Sequence, residues 1–207
     1  MFKKLLAISF LLVGISANAN AAIVYSNGFN NPEDLADWED VSLGGGGVVA
    51  NTGCCSLDPQ EGNGYLAFTG NSSSVDSNWY GGTYLDLSSI LTAGKAYELS
   101  FYWGGRGQQR DQDPRLMVGL TSGDFLTNDL WSVTFNTNTV VGEWTLYTMS
   151  FVAPASVLYL DIAEISSNSR NVGPAIDNLV IKEVSAPSVI ALLGLTMIGF
   201  GLRARKR

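Results

Sequence analysis

The chain of 207 residues contains no histidine. A Ser-His-Asp or Cys-His device cannot be assembled from it, and a zinc site with imidazole ligands is excluded as well. Cysteine is nearly as scarce, and the two present, Cys54 and Cys55, are neighbours. A disulfide framework needs Cα atoms about 4.4–6.8 Å apart with a real loop between them, so this pair staples nothing distant. A vicinal disulfide, pairing with another molecule, and an inert thiol pair are the readings left. Positive charge is the scarcest commodity in the middle of the chain. Of the 12 Lys and Arg, six sit at the two ends (Lys3, Lys4, Arg203, Arg205, Lys206, Arg207), while all 19 Asp and Glu lie between them. The body thus sets six basic against nineteen acidic residues, a balance of −13. Such a field repels nucleic acid and anionic headgroups and favours cations, so nucleic acid is set aside as a partner.

What is present at the ends is an address. Met1 to about Ala21 has a basic start, an apolar stretch from Leu5 to Ile15, and small residues at Ala17-Asn18-Ala19 and Ala19-Asn20-Ala21. That is the tripartite form of a secretory signal peptide. At the other end, Val189 to Leu202 runs for 14 residues without a charge, and four of the last five residues are basic. A helix of that length spans roughly 20 Å, short of the ~30 Å hydrocarbon core. Counting from Ala186 and letting the arginines snorkel closes part of the gap. The expected organisation is a signal peptide over 1–21, a folded body over 22–184 and a tail over 185–207 with a transmembrane helix about 187–203. The basic end would stay on the cytoplasmic side.

The tail resembles the PEP-CTERM type of bacterial sorting signal on Ser185-Ala186-Pro187-Ser188, the run Ala191 to Leu195, Gly199, Gly201 and the basic terminus. It departs from that type in having Ser-Ala-Pro-Ser where Pro-Glu-Pro is expected. The resemblance implies an exosortase-type processing enzyme as a partner, a membrane-tethered intermediate, delivery to the cell surface or matrix, and association with extracellular polysaccharide.

Within the body, β-rich runs recur about every ten residues, over 22–29, 38–43, 64–70, 82–88, 96–105, 115–120, 130–135, 143–153, 156–164 and 175–184, separated by Gly, Asn, Asp, Ser and Pro clusters. This spacing predicts an all-β fold, an antiparallel β-sandwich. The run from Ala96 alternates Tyr97, Leu99, Phe101 and Trp103 against Glu98, Ser100 and Tyr102, so one side buries and the other meets solvent or ligand. One or two helical turns are expected in the segment 31–38, with Pro32 at the start after an Asn31 cap. The closing run from Gly173, with Ile176-Asp177-Asn178, and the opening run with Asn27-Gly28-Phe29-Asn30 together resemble jelly-roll carbohydrate-binding and galactose-binding-like domains. The resemblance implies a jelly roll whose first and last strands lie together. It also implies calcium held by Asp177 with Asn27, Asn30 or a nearby carbonyl, since hard oxygen ligands suit that ion. An Asp177 that hydrogen-bonds the neighbouring loop is the alternative.

Three function classes remain. Polysaccharide binding would use aromatic platforms with placed polar groups. The candidate residues are Trp103, Arg106, Gln108 and Arg110, where a strand end runs into a polar loop, with Trp79 and Tyr80 as a second group. Trp38, Trp131 and Trp144 alternate with polar neighbours and read as core. A structural or adhesive matrix component without a small ligand is the second class. A glycan-active hydrolase built on two carboxylates is the third, with Asp161, Glu164 or Glu98 as the acids available. Mass spectrometry of the native protein is expected to find a new N-terminus after Ala19 or Ala21 and a new C-terminus near Ser185. An intact Arg207 would mean a permanent anchor instead.

Overall fold

A computed structural model describes residues 21–41, 48–51, 57–68, 81–105, 115–123, 130–136, 140–155, 158–164 and 174–184. Eleven strands follow one another: β1 (Ala22–Asn27), β2 (Trp38–Val41), β3 (Val48–Asn51), β4 (Tyr65–Phe68), β5 (Gly81–Asp86) and β6 (Ala96–Gly105), then β7 (Arg115–Thr121), β8 (Trp131–Asn136), β9 (Trp144–Val152), β10 (Tyr159–Glu164) and β11 (Pro174–Val184). Every pairing between them is antiparallel. They form a six-stranded sheet in the order β3-β4-β11-β6-β9, with β1 also on β11, and a five-stranded sheet in the order β2-β5-β10-β7-β8. The expected β-sandwich is therefore present, and its first and last strands are paired. The signal peptide and the tail, including Ser185, Ala186, Pro187 and Ser188, lie outside the described residues. Among the described residues, no helix is long and apolar enough to cross a membrane.

The alternation of β6 fixes which way each sheet faces. Tyr97, Leu99, Phe101 and Trp103 are buried, whereas Glu98, Ser100 and Tyr102 are only half-buried. On the facing sheet Leu85, Leu116, Val118, Leu120, Leu160 and Ile162 complete one core with Ile176, Leu179 and Ile181 of β11. Trp38 is buried with them and donates its indole N–H to the Tyr25 hydroxyl at 2.9 Å. The short helical segment is a single 3₁₀ turn over Pro32–Leu35. The Asp34 carboxylate closes it by accepting the backbone N–H groups of Asn30 and Asn31 at 2.7 and 3.1 Å.

One strand was not expected. β3 falls inside a glycine-rich stretch, and it pairs with β4 through Val48↔Phe68 to Asn51↔Tyr65. Gly44 to Gly47 before it and Gly53 after it read as loop, yet four residues suffice when a neighbouring strand supplies the ladder.

The Ile-Asp-Asn motif marks an irregularity. Between Asp177 and Val180 the register of β11 against β6 shifts, Asp177 pairing with Tyr102 and Val180 with Ser100. The extra residue is a bulge, and Asn178 takes the left-handed conformation it demands, φ 47°. Before the bulge Ile176 faces the core. After it Leu179 and Ile181 do. One side of β11 is thereby shared, by β4 ahead of the bulge and by β1 beyond it.

Trp103 is core. It stacks on Phe135 at 4.6 Å between ring centroids and is 8% exposed. Trp103→Ala is expected to lose about 3–5 kcal/mol of stability, read as a fall in denaturant midpoint with the unfolding slope unchanged. A loss under about 1 kcal/mol, as at surface sites, would contradict this placement.

Candidate functional site

The outer face of the five-stranded sheet is built by a repeated triplet. Tyr84-Leu85-Asp86 lies on β5 and Tyr159-Leu160-Asp161 on β10. In each strand the leucine points into the core, so Tyr and Asp must point out. The antiparallel register then sets Tyr84 opposite Asp161 and Tyr159 opposite Asp86. Each tyrosine faces the other strand's carboxylate. The two rings meet on the diagonal, edge to face, with centroids 5.5 Å apart and planes at 87°.

The row through Tyr84 extends in both directions. Glu39 of β2 pairs with Tyr84, and beyond Asp161 come Gly119 of β7 and Ser132 of β8. Tyr84 donates its hydroxyl hydrogen to the Glu39 carboxylate. That bond opposes a phenolate beside a carboxylate and pushes the Tyr84 phenol up to about 12, so it stays a neutral donor. In the neighbouring rows stand Gly82 with Ala163, and Thr121 beside Tyr159. Gly82, Gly119 and Ala163 are small and buried, and Thr121 is buried too, so the tyrosines are more exposed than these neighbours. Asp161 is buried, while Asp86 is exposed and accepts the Ser88 backbone N–H at 2.8 Å. Five strands about 4.8 Å apart give this face a width near 19 Å.

Trp79, Tyr80, Arg106, Gln108 and Arg110 lie outside the described residues, as do Cys54 and Cys55, and Trp103 belongs to the core. The proposed acid pair is also separated. Asp161 and Glu164 are three residues apart on β10, an odd spacing that sends them to opposite faces of the sheet. Glu164 shares the inner side with Leu160 and Ile162. Glu98, on the six-stranded sheet, pairs with Lys182 and Ser150. The residues sequence reasoning passed over are Glu39, Tyr84, Asp86 and Tyr159. The signal was available in the twice-repeated Tyr-Leu-Asp, whose two-residue period puts the aromatic and the acid on one side.

Asp177 occupies a different place, the outer side of the six-stranded sheet. One carboxylate oxygen accepts the backbone N–H groups of Gln60 and Glu61 at 2.8 and 3.2 Å, and the other that of Asn178 at 2.6 Å. The Asn178 amide donates to the Glu61 carboxylate at 2.8 Å. Nearby, the Trp144 indole N–H donates to the Asp58 carbonyl at 2.8 Å. These bonds pin the segment 57–64 to the sheet, where Leu57 is buried over Tyr65, Ala67 and Ala175.

The other implied calcium ligands are likewise engaged. The side-chain oxygen of Asn27 accepts the Phe29 N–H at 2.8 Å, and that of Asn30 accepts the Asn63 N–H at 2.6 Å. Positive ends of N–H dipoles point at all three side chains. Among the described residues there is no group of three or more acidic or thiol side chains placed to hold an ion. As arranged, the donor set fits a hydrogen-bonded latch rather than an oxygen-lined cage of six to eight ligands.

No known family's sequence profile matches this chain. A stretch of 97 residues is 34% identical to halomucin from Haloquadratum walsbyi (strain DSM 16790 / HBSQ001), which is 47% of this chain and 1% of that protein. The fold is similar to the CBM22-1 xylan-binding domain of Paenibacillus barcinonensis Xyn10C, with a TM-score of 0.54 at 17% identity, covering 82% of this chain and 99% of the other. The C-terminal family 22 carbohydrate binding module of Clostridium thermocellum Xyn10B gives 0.54 at 15%, covering 81% and 98%. A Stig cyclase, Fisc from Fischerella sp. TAU, gives 0.58 at 14%, covering 81% and 100%. Identities this low establish a shared jelly-roll fold. Because binding modules and a cyclase both use it, the fold alone does not choose between binding and catalysis.

Burial pushes the Asp177 carboxyl up from 3.8 to about 6, against the pull of its three N–H partners. Between those values the folded chain holds a proton that the unfolded chain has released. The stability contributed by this group is therefore fully present below about pH 4 and is lost as pH rises through about 6. Asp177→Asn is expected to flatten that slope and to cost about 1–3 kcal/mol, because its amide hydrogens would meet N–H donors. Thermal melts from pH 4 to 7 read both effects. Repeating them with calcium and with chelator is expected to leave the midpoint in place, and a calcium-dependent rise would give Asp177 the metal role.

Proposed function

We propose that this chain is a non-catalytic polysaccharide-binding sandwich that engages its ligand over Tyr84 and Tyr159. The observation that carries the reading is the Tyr-Asp quartet on the outer side of the five-stranded sheet, where Tyr84 and Tyr159 are half-buried and Asp86 is exposed. A phenol ring offers an apolar surface to the C–H side of a pyranose, and the exposed Asp86 carboxylate can accept from its hydroxyls. The Tyr84–Glu39 hydrogen bond fixes one ring before any ligand arrives, which lowers the ordering cost of binding. The xylan-binding modules that share the fold support the choice of a polysaccharide.

Export belongs to the same proposal. The N-terminal leader would send the chain across the membrane, and the Ser185-to-Ser188 tail would hold it there for an exosortase-type enzyme before release to the surface or matrix. An acidic, glycine-rich body suits that setting. The support is the sequence of the two ends.

One observation favours a second reading. Asp86 and Asp161 occupy diagonal positions on the same face, where separations run to about 7–8 Å. That falls within the range used by glycoside hydrolases. Asp161 is buried, however, and Asp86 is tied to the turn that follows it, so neither stands free over a bond.

Affinity electrophoresis or calorimetry with soluble xylan and with β-glucans tests the proposal. Tyr84→Ala and Tyr159→Ala are each expected to weaken binding about tenfold or more, equivalent to about 1.4 kcal/mol, with melting midpoints near that of the parent. Unchanged retention in both would dismiss this face. Reducing ends are expected not to accumulate. If they did, and vanished in Asp161→Asn, the hydrolase reading would replace this one.

A further inference from the structure

Strands at the rim of a sheet carry unpaired N–H and C=O groups, and soluble proteins guard them with charge, shortness, bulges or proline. Most rims of this sandwich are guarded. β2 and β3 have four residues each, and β2 carries Glu39 and Asp40. β1 has a register irregularity between Ile23 and Tyr25. β9 has none of these defences. It runs for nine residues, Trp144-Thr-Leu-Tyr-Thr-Met-Ser-Phe-Val152, without a charge or a proline. Its pairing with β6 is unbroken from Gly104↔Trp144 to Ala96↔Val152. Among the described residues no strand lies along its other side.

We propose that two copies of this chain join antiparallel along β9, about a two-fold axis at Met149. Charge argues for a second copy as the occupant. A body with a balance of −13 repels itself wherever its acids are displayed. β9 and the adjoining rim strand β8 contain no charged residue, so two acidic bodies can meet there without opposing like charges.

Self-complementarity argues for the register. With Met149 on the axis, Leu146 falls opposite Val152 of the second copy, Tyr147 opposite Phe151, and Thr148 opposite Ser150. Leu146 and Val152 are 54% and 63% exposed, and the register covers both at once. Tyr147, Met149 and Phe151 are only half-buried in one copy and would close against their counterparts. The contact is isologous, so it ends at two copies rather than propagating.

Light scattering on the full chain in non-ionic detergent tests the proposal. The parent protein is expected to be a dimer at tens of micromolar. Thr148→Glu combined with Ser150→Glu sets like charges opposite each other twice and is expected to give monomer. Thr148→Lys combined with Ser150→Lys is expected to do the same. Thr148→Lys with Ser150→Glu sets opposite charges across the axis and is expected to keep the dimer, weakened by salt. Both positions are exposed, so all variants are expected to melt cooperatively. A monomeric parent, or a dimer indifferent to the sign pattern in the variants that fold, would overturn the proposal.

Discussion

The register between β5 and β10 is the constraint on which the candidate site depends. Side chains alternate with a strict period of two, so slipping one strand by a single residue would drive Tyr159 and Asp161 into the core and turn Leu160 and Ile162 to the outer side of the sheet. Burial of Leu85, Leu160 and Ile162 opposes that slip, at about 1.5–3 kcal/mol for each large aliphatic side chain. The apolar core thus aims the polar face. Nothing at the tyrosines needs to hold them outward, because the leucines between them and their aspartates already do. Glu39 adds the last degree of order by taking the Tyr84 hydroxyl from the neighbouring strand.

A second constraint sits at the bulge in β11. An extra residue between Asp177 and Val180 switches which parity of that strand faces inward, so Ile176 and Ile181 both reach the core. The switch leaves Asp177 buried on the outer side with three N–H groups directed at it. Those bonds draw the segment 57–64 across the sheet and seat Leu57 in a small second core with Tyr65 and Ala175. Desolvation of the carboxylate and satisfaction of otherwise orphaned backbone donors oppose one another here, and the raised pKa records that burial outweighs the hydrogen bonds. A loop is fastened at the expense of a carboxylate that is easier to protonate.

Much of this was legible in the sequence. Ten of the strands follow from alternation and turn residues, and β6 has the predicted bounds, Ala96–Gly105. The two faces of that strand followed directly from its pattern. β3 was hidden because Val48-Val49-Ala50-Asn51 is too short to show a period and stands among glycines. Trp103 was legible twice, as part of an apolar alternation and as the rim of a polar loop, and packing on Phe135 decides for the first. Tyr84 and Tyr159 were overlooked for a different reason. Aromatics in a sandwich usually pack inward, and only the register, which joins residues 75 positions apart, shows that these two meet each other and each other's aspartates. Asp177 was recognised through a motif, but the partners it binds come from a turn more than a hundred residues earlier. Local pattern fixes the side a residue faces, and only long-range pairing fixes its company.

The proposed interface and the proposed ligand face do not compete. The Tyr-Asp quartet lies on inner strands of one sheet, on its outer side, whereas β9 is the rim of the other sheet. Joining two copies along β9 therefore covers neither quartet and ties the two into one particle. For a repetitive polymer this matters more than the strength of either site. A shallow face with two rings and a few carboxylates binds weakly, but once one copy is engaged the second samples the same chain at a high effective concentration, so avidity can exceed either affinity by about 10²–10⁴. The uncharged rim that allows two acidic bodies to meet thus also bears on how tightly a glycan would be held.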